Sequence, residues 1–233
     1  MSVLVACLLL LVAAVSAEEE GSVEIGLQQC VDAMNILRRS HLRHQNPRLT
    51  VSSQLETAAK GMLDAAFGTK HDCRTLRAPD LGQAPADIVG LVFVGDNPPC
   101  LQSMIQATHK LLDISPSFPP AYDEQVTPWQ NLEAQITARF LLETATSVGC
   151  AYTKGCSVGY IVCKLSAMPI TGQHPFSQAF YEALMERRAS GIDLYSLGQD
   201  DIDTPFTGDA LSACSSVWLT WVLAVASALA LRH

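Results

Sequence analysis

The chain has 233 residues, enough for one large domain or two small ones. Its formal net charge of −8 at pH 7 argues against nucleic-acid binding and against adhesion to anionic lipids, because both need clustered positive charge. No Asn is followed two residues later by Ser or Thr, so N-linked glycosylation is not expected.

An apolar run opens the chain and ends at the small residues Val15, Ser16 and Ala17, directly before three glutamates. This pattern is typical of a signal peptide, so we expect residues 1–17 to be removed. A retained membrane anchor is the alternative, but the run is too short to span a bilayer and no basic residue follows it. The remaining chain is therefore predicted to enter an oxidising compartment.

In an oxidising compartment, cysteines are expected to form disulfides rather than remain free thiols. Of the eight cysteines, six lie between the two apolar ends, and an even number in a secreted segment predicts disulfides. Their spacing alone leaves the connectivity open. A metal site is disfavoured because the sequence contains no C-x-x-C pair. The six candidates are Cys30, Cys73, Cys100, Cys150, Cys156 and Cys163.

Two helices are predicted in the first third of the chain. Apolar residues recur at helical spacing between residues 27 and 44. The second helix begins at a capping box formed by Ser53 and Glu56 and continues to Gly68. Residues 74–87 contain several Pro and Gly residues and are predicted to form a loop.

A strand and two further helices follow. Residues 88–95 are apolar and largely β-branched, which is typical of a strand buried on both faces. A helix is predicted near residues 100–114. The pair Thr127 and Pro128 is suited to the cap and first turn of the next helix, which continues to Phe140.

The chain becomes β-rich at Ser147, where two runs on either side of a K-G-C turn predict a hairpin. A last helix is predicted from Ser177 to Ala189. We interpret residues 18–189 as one mixed domain. Residues 190–208 are rich in Gly, Ser and Asp, which indicates a flexible spacer.

The apolar tail, residues 217–231, is predicted to be a GPI-attachment signal. It is shorter than the roughly 20 residues that a membrane span needs, and no basic cluster follows it. A core helix is disfavoured because the tail lacks a polar face. Small residues, a short polar spacer and an apolar tail are the parts of a GPI signal. We expect attachment at Gly208, with Asp209 or Ser212 as alternatives, and removal of residues 209–233.

Two motifs resemble the CAP superfamily, the cysteine-rich secretory, antigen and pathogenesis-related proteins. The V-G-C-A segment at 148–151, with Cys156 and the Val162-Cys163 pair after it, resembles the hairpin of that family. The N-x-x-R motif formed by Asn35 and Arg38 resembles that of its first helix. The whole order of signal, six-cysteine domain, spacer and apolar tail resembles the GPI-anchored surface antigens of Eimeria-type coccidian parasites.

The resemblance implies an α+β fold, a CAP-like three-layer α-β-α sandwich with a mostly antiparallel sheet, stabilised by disulfides. It also implies pairings. In this family the cysteine after V-G-C-A tends to pair locally, which implies Cys156 with Cys163. The cysteine within V-G-C-A tends to reach an upstream segment, which implies Cys73 with Cys150. Cys30 and Cys100 then remain as a pair.

Many CAP domains carry two His and two Glu that bind a divalent metal in a cleft. Aligned on V-G-C-A, one of those His positions is occupied here by Ile136, and only Asp96 offers a carboxylate where a Glu is needed. His71 could match the other His. Because half of the tetrad is missing, the sequence predicts no metal, no cofactor and no catalytic residue.

Other chemistry-bearing residues give no stronger signal. His41 and His44 are three apart on a predicted helix, but they lie among arginines and are interpreted as a solvated basic helix end. His109 is interpreted as an exposed helix residue. No G-x-S-x-G elbow supports a serine nucleophile. We therefore expect a protein that is not an enzyme.

Together these features predict a non-enzymatic parasite surface antigen, GPI-anchored on the extracellular face of the plasma membrane. Its expected partners are a host-cell surface or host immune ligand, bound through exposed loops, and no nucleic acid. The alternative is a secreted or surface CAP-type carrier of lipid or sterol, with a groove between the second and third helices. A metal-dependent hydrolase is a third class, which a specific metal in the purified protein would support.

Overall fold

The computed structural model describes residues 21–68, 73 and 85–207. The predicted signal peptide, the tail at 209–233 and all three attachment candidates, Gly208, Asp209 and Ser212, lie outside the described residues. The elements in chain order are β1 (Ser22–Ile25), α1 (Gln28–Arg39), β2 (Thr50–Val51), α2 (Ser53–Phe67), β3 (Ile88–Val94), α3 (Cys100–Ile114), α4 (Leu132–Phe140), β4 (Ser147–Lys154), β5 (Val158–Leu165) and α5 (Gln178–Ala189). Two 3₁₀ turns follow, at Leu194–Ser196 and Gln199–Asp201.

The strands form one sheet in the order β1-β4-β5-β3. All of these neighbours are antiparallel, and β2 adds a short parallel pairing at the start of β4. The hairpin of β4 and β5 sets the register, with Val148 opposite Leu165 and Tyr152 opposite Ile161. Successive side chains of these strands therefore point to opposite faces, and both faces are apolar.

Helices cover both faces of the sheet. On one face, Ala59 and Leu63 of α2 pack against Ala151 and Val162. On the other face lies the larger core, which α1, α3, α4 and α5 build over Val148, Cys150, Ile161 and Cys163. The structure confirms the predicted α+β fold, a three-layer α-β-α sandwich with a mostly antiparallel sheet.

The glycine of V-G-C-A explains how closely α2 approaches the sheet. A Cβ added to Gly149 would lie 2.0 Å from the backbone nitrogen of Glu56. Any larger residue would therefore force the helix away from β4. The motif thus fixes a close contact between the helix backbone and the strand.

The N-x-x-R motif ties distant loops to α1. The buried amide of Asn35 donates to the carbonyl of Leu49 and accepts from its backbone N–H. The fully buried Arg38 donates at 2.8–3.0 Å to four backbone carbonyls. These carbonyls belong to Pro47, Phe140, Leu142 and Ala145. Burial lowers the pKa of Arg38 to about 10. The arginine thus joins the loop at Pro47 to the segment after α4 through hydrogen bonds to their backbone carbonyls.

A second buried arginine holds the end of the same helix. Arg187 of α5 donates to the carbonyls of Ile36, Leu37 and Ser40 at the C-terminal end of α1. Burial lowers the pKa of Arg187 to about 10. At the last turn of α1, Arg187 therefore donates hydrogen bonds that water would donate at an exposed helix end.

Helix starts differ from the predictions in two places. Ser52, rather than Ser53, caps α2, because its hydroxyl accepts from the Leu55 backbone N–H. The pair Thr127 and Pro128 does not begin α4. That helix begins at Leu132, where the side chain of Asn131 accepts from the backbone N–H of Ala134. In both cases the side-chain oxygen that reaches the free helix N–H defines the start.

The segment after α5 is docked rather than free. Sequence composition predicts a flexible spacer from residue 190, but Leu194 and Ile202 are buried. We refer to residues 198–207 as the C-terminal strap. The strap carbonyl of Thr204 accepts from the His41 backbone N–H at 2.7 Å. The folded body therefore extends beyond Ala189 and includes most of the predicted spacer.

Charged contacts add to this docking. Asp203 of the strap forms ion pairs with Arg39 and Arg48. Phe206 lies under the guanidinium of Arg43, 5.3 Å from ring centroid to Cζ.

In the part of the chain that is described, every helix is too short or too polar to cross a membrane.

Candidate functional site

All six cysteines of the folded body form disulfides, but two predicted pairings are wrong. Cys30 pairs with Cys100, as predicted. Cys150 pairs with Cys163, and Cys73 pairs with Cys156, so the Cys156–Cys163 and Cys73–Cys150 pairings are corrected.

The hairpin geometry explains the exchange. Cys150 and Cys163 are direct neighbours across β4 and β5, with 4.0 Å between their Cα atoms. Cys156 lies in the turn beyond the ends of both strands. Five residues of extended strand between Val158 and Cys163 cover roughly 16 Å, which is more than a disulfide can bridge. Cys156 is therefore too far from Cys163 and forms its disulfide with Cys73, which links the hairpin turn to the segment between α2 and β3.

The residues tested for a metal tetrad do not come together. Ile136 is buried in α4, Asp96 is exposed in the turn after β3, and His71 lies outside the described residues. Among the residues that the structure describes, no three metal-binding side chains converge. The sequence prediction that no metal or cofactor is bound remains a prediction.

The other histidines are placed differently from the sequence interpretation. Helix α1 ends at Arg39, so His41 and His44 lie beyond it and do not share a helical face. His109 is partly buried in α3 rather than exposed, and burial, with the nearby Arg188, lowers its pKa. Neither arrangement pairs a histidine with a nucleophile.

A cluster that sequence reasoning missed lies beside an open cleft of about 590 Å³. We call this the acidic cleft. Its floor includes the buried ring of Tyr122, whose hydroxyl donates to Oε1 of Glu124 at 2.8 Å. The guanidinium of Arg139 approaches the same oxygen to 3.8 Å. The cleft is lined by Ala86, Tyr122, Asp123, Glu124, Gln125, Met168, Pro169, Ile170 and Thr171.

Arg139 is an unusual residue for its position. It lies on α4 with 2% exposure, donates to the carbonyl of Ile88 and to the side chain of Gln135, and leaves its Nε without a partner in the described structure. A lone Arg within the apolar A-R-F-L-L run is the sequence signal that could have identified it. The cluster joins α4, the first residue of β3 and the loop that carries Glu124.

The chemistry available to this cluster is limited. Burial and the hydrogen bond to Glu124 raise the pKa of Tyr122 far above its usual range, so the phenol stays protonated at neutral pH. A protonated phenol that already donates to a carboxylate is a poor general base. The arrangement is suited to holding the loop in place and to recognising a polar group, rather than to proton transfer.

The groove proposed for a lipid also needs revision. The apolar face of α2, with Ala59 and Leu63, packs on one face of the sheet. The apolar face of α3, with Met104 and Leu111, packs on the opposite face. Because the sheet separates these two faces, the second and third helices do not line a common groove.

An apolar surface is exposed at the hairpin end of the sheet. Val94 of β3 is 81% exposed, and Val92 and Val158 are 48% and 43% exposed. Val94 and Val158 are direct cross-strand neighbours, so the three side chains form one surface. We call Val92, Val94 and Val158 the apolar tip.

Comparison with known proteins gives a likeness in fold. No family model matches the chain, and no curated protein matches its sequence. Among solved structures, the chain is similar to the Eimeria tenella surface antigen protein SAG19, with a TM-score of 0.53 and 19% identity, over 72% of this chain and 99% of that one. The hookworm platelet inhibitor also matches, with a TM-score of 0.46 and 11% identity, over 65% of this chain and 74% of that one.

Proposed function

We propose that this protein is a GPI-anchored surface antigen of a parasite, and that it acts by binding host molecules rather than by catalysis. The observation that carries the proposal is the shared fold with an Eimeria tenella surface antigen, along nearly the whole of that protein. The likeness in fold supports display on a cell surface. GPI attachment and host contact are the further steps that we propose.

The docked strap supports the predicted anchor. In sequence, Thr207 of the strap is followed directly by the attachment candidate Gly208, with Asp209 and Ser212 shortly after it. A lipid attached there would hold the domain close to the bilayer through a segment that is itself bound to the domain. The signal peptide at residues 1–17 and the tail at 209–233 complete the expected processing pattern.

A binding role is also supported by the residues at the positions considered for metal binding and proton transfer. Ile136 occupies a position where the metal-binding relatives carry a His, and the phenol of Tyr122 is committed to Glu124. In the described residues, the exposed features are instead an acidic cleft and an apolar tip. Both are features that a partner can recognise without any bond being broken.

Release of the full chain from intact expressing cells by phosphatidylinositol-specific phospholipase C tests the anchor. We expect the enzyme to free the full-length product, and a chain truncated after Gly208 to be secreted without treatment. Retention on membranes after treatment, with the tail peptide still detected by mass spectrometry, would contradict the GPI proposal.

A further inference from the structure

The outward backbone groups of the edge strand β3 are hydrogen-bonded at its first residue but, within the described residues, not at Val92 and Val94. Its backbone groups alternate between the partner strand β5 and the outer edge, as in any antiparallel pair. Hydrogen bonds from Leu165 to Asp87 and from Gly95 to Ser157 fix the phase, so Ile88, Gly90, Val92 and Val94 direct their N–H and C=O groups outward.

At Ile88, the first residue of β3, both outward backbone groups have hydrogen-bond partners. The Ile88 backbone N–H donates to the carbonyl of Pro85, and the Ile88 carbonyl accepts from the guanidinium of Arg139. Beyond this point, within the described residues, no hydrogen bond reaches the outward groups of Val92 or Val94. Their side chains belong to the apolar tip and are exposed.

The sequence of this strand does not protect the edge. Natural proteins usually guard an open edge with Lys, Pro or an inward charge. Residues 88–95, I-V-G-L-V-F-V-G, contain none of these. An exposed apolar strand with unpaired backbone groups is the surface on which an extended segment can add as a further strand.

We propose that the outer edge of β3 at Val92 and Val94 binds an extended, uncharged segment of a partner protein, whose alternate apolar side chains cover the apolar tip. The backbone groups would supply the hydrogen bonds, and the three valines would favour apolar side chains. A charged side chain placed directly over the three valines would lose its hydration without gaining an opposite charge from them.

The position of the strap favours a partner over a second copy. The strap bridges to Leu42 and pairs with Arg48, just before β2, which itself pairs with the start of β4. The apolar tip lies at the other end of the sheet, and an eight-residue strand such as β4 is roughly 23 Å long. A two-fold pairing of two β3 strands is antiparallel and would place the two straps at opposite ends of the joined sheet. Copies anchored in one membrane could not adopt it, so this step rests on the proposed function.

A short fluorescein-labelled peptide of alternating Val and Thr with a terminal Lys provides the probe. Its fluorescence anisotropy would be measured against purified full-length protein in detergent micelles, a format that does not depend on the type of anchor. The first variant is Val92→Pro, which removes an outward N–H without removing a bond to β5. The second is Val94→Thr, which keeps the backbone intact, and its control is Val51→Thr, the same substitution at an exposed valine on a different strand, β2.

We expect the wild-type protein and Val51→Thr to bind the peptide, Val92→Pro to bind at least about tenfold more weakly, and Val94→Thr to be weakened by a smaller factor. Absence of binding to wild type, or equal binding by both tip variants, would overturn the proposal. So would slow hydrogen exchange of the Val92 and Val94 amides in the free protein, because the edge would then already be occupied. Dimerisation that Val92→Pro abolishes would assign the edge to a second copy instead. Release by the phospholipase is measured in a separate experiment, so a wrong proposal about the anchor can be distinguished from a wrong proposal about the β3 edge.

Discussion

The two ends of the sheet are stabilised in opposite ways. At the strap end, buried arginines donate to backbone carbonyls from several parts of the chain, and surface arginines pair with the carboxylate of Asp203. At the hairpin end, one disulfide between Cys73 and Cys156 holds the turn, and apolar side chains remain exposed. The buried arginine network thus lies at the end where we expect the membrane, and the opposite end carries the exposed apolar tip.

Replacing Arg38 should give the largest loss of stability. In Arg38→Met, four carbonyls lose the hydrogen bonds that the guanidinium donates, and three of these bonds are buried, so we expect the free energy of unfolding to fall by about 3 kcal/mol or more. Urea denaturation of the phospholipase-released protein measures the change. The control is Arg48→Met, which removes one exposed ion pair and should cost less than about 1 kcal/mol. Equal losses would mean that burial of Arg38 contributes nothing.

Removing the hairpin disulfide should have an intermediate effect. We expect the double variant Cys73→Ser, Cys156→Ser to lose about 2–4 kcal/mol, because the long loop between the two residues is no longer closed in the unfolded chain. Denaturation measures the loss, and hydrogen exchange should show added local opening only near the turn, above the uniform increase that the lower global free energy of unfolding causes. Opening that extends to α1 would show that the two ends are not independent. A non-reducing digest of the wild type should first yield a peptide pair linked through Cys73 and Cys156.

A pair of glycine substitutions should give the smallest effects, of opposite sign. Gly149→Ala inserts a methyl group against the α2 backbone, and we expect a loss of about 1–3 kcal/mol. Gly61→Ala lies on α2 with open space around it, and should gain about 0.5–1 kcal/mol through helix propensity. Thermal unfolding compares the two. A neutral Gly149→Ala would mean that α2 can move away from β4 at no cost.

Local patterns in the sequence predicted the framework well. The alternation and length of apolar runs located β3 and the hairpin of β4 and β5, and the N-x-x-R and V-G-C-A motifs correspond to a carbonyl-binding network and a close helix contact. The Cys30–Cys100 pair was also correct. These features depend on neighbours in sequence or on motifs with a single geometric solution.

Apart from the helix starts, the errors concern strand register and tertiary contacts. Pairing of Cys150 with Cys163 depends on strand register, which the hydrophobic pattern does not fix to one residue. The strap has the composition of a linker, yet single buried residues such as Ile202 are enough to dock it. The contact between Arg139 and Glu124 joins a helix to a separate loop. None of these partners is encoded by spacing along the chain.

The docked strap bears on how a population of these molecules would act. A domain on a free linker samples many orientations, and its contacts are averaged over them. A domain whose attachment segment is fixed to its own surface would stand at one height with its tip outward. A dense coat would then offer many identical sites to one opposing surface, so individually weak contacts would gain strength through avidity.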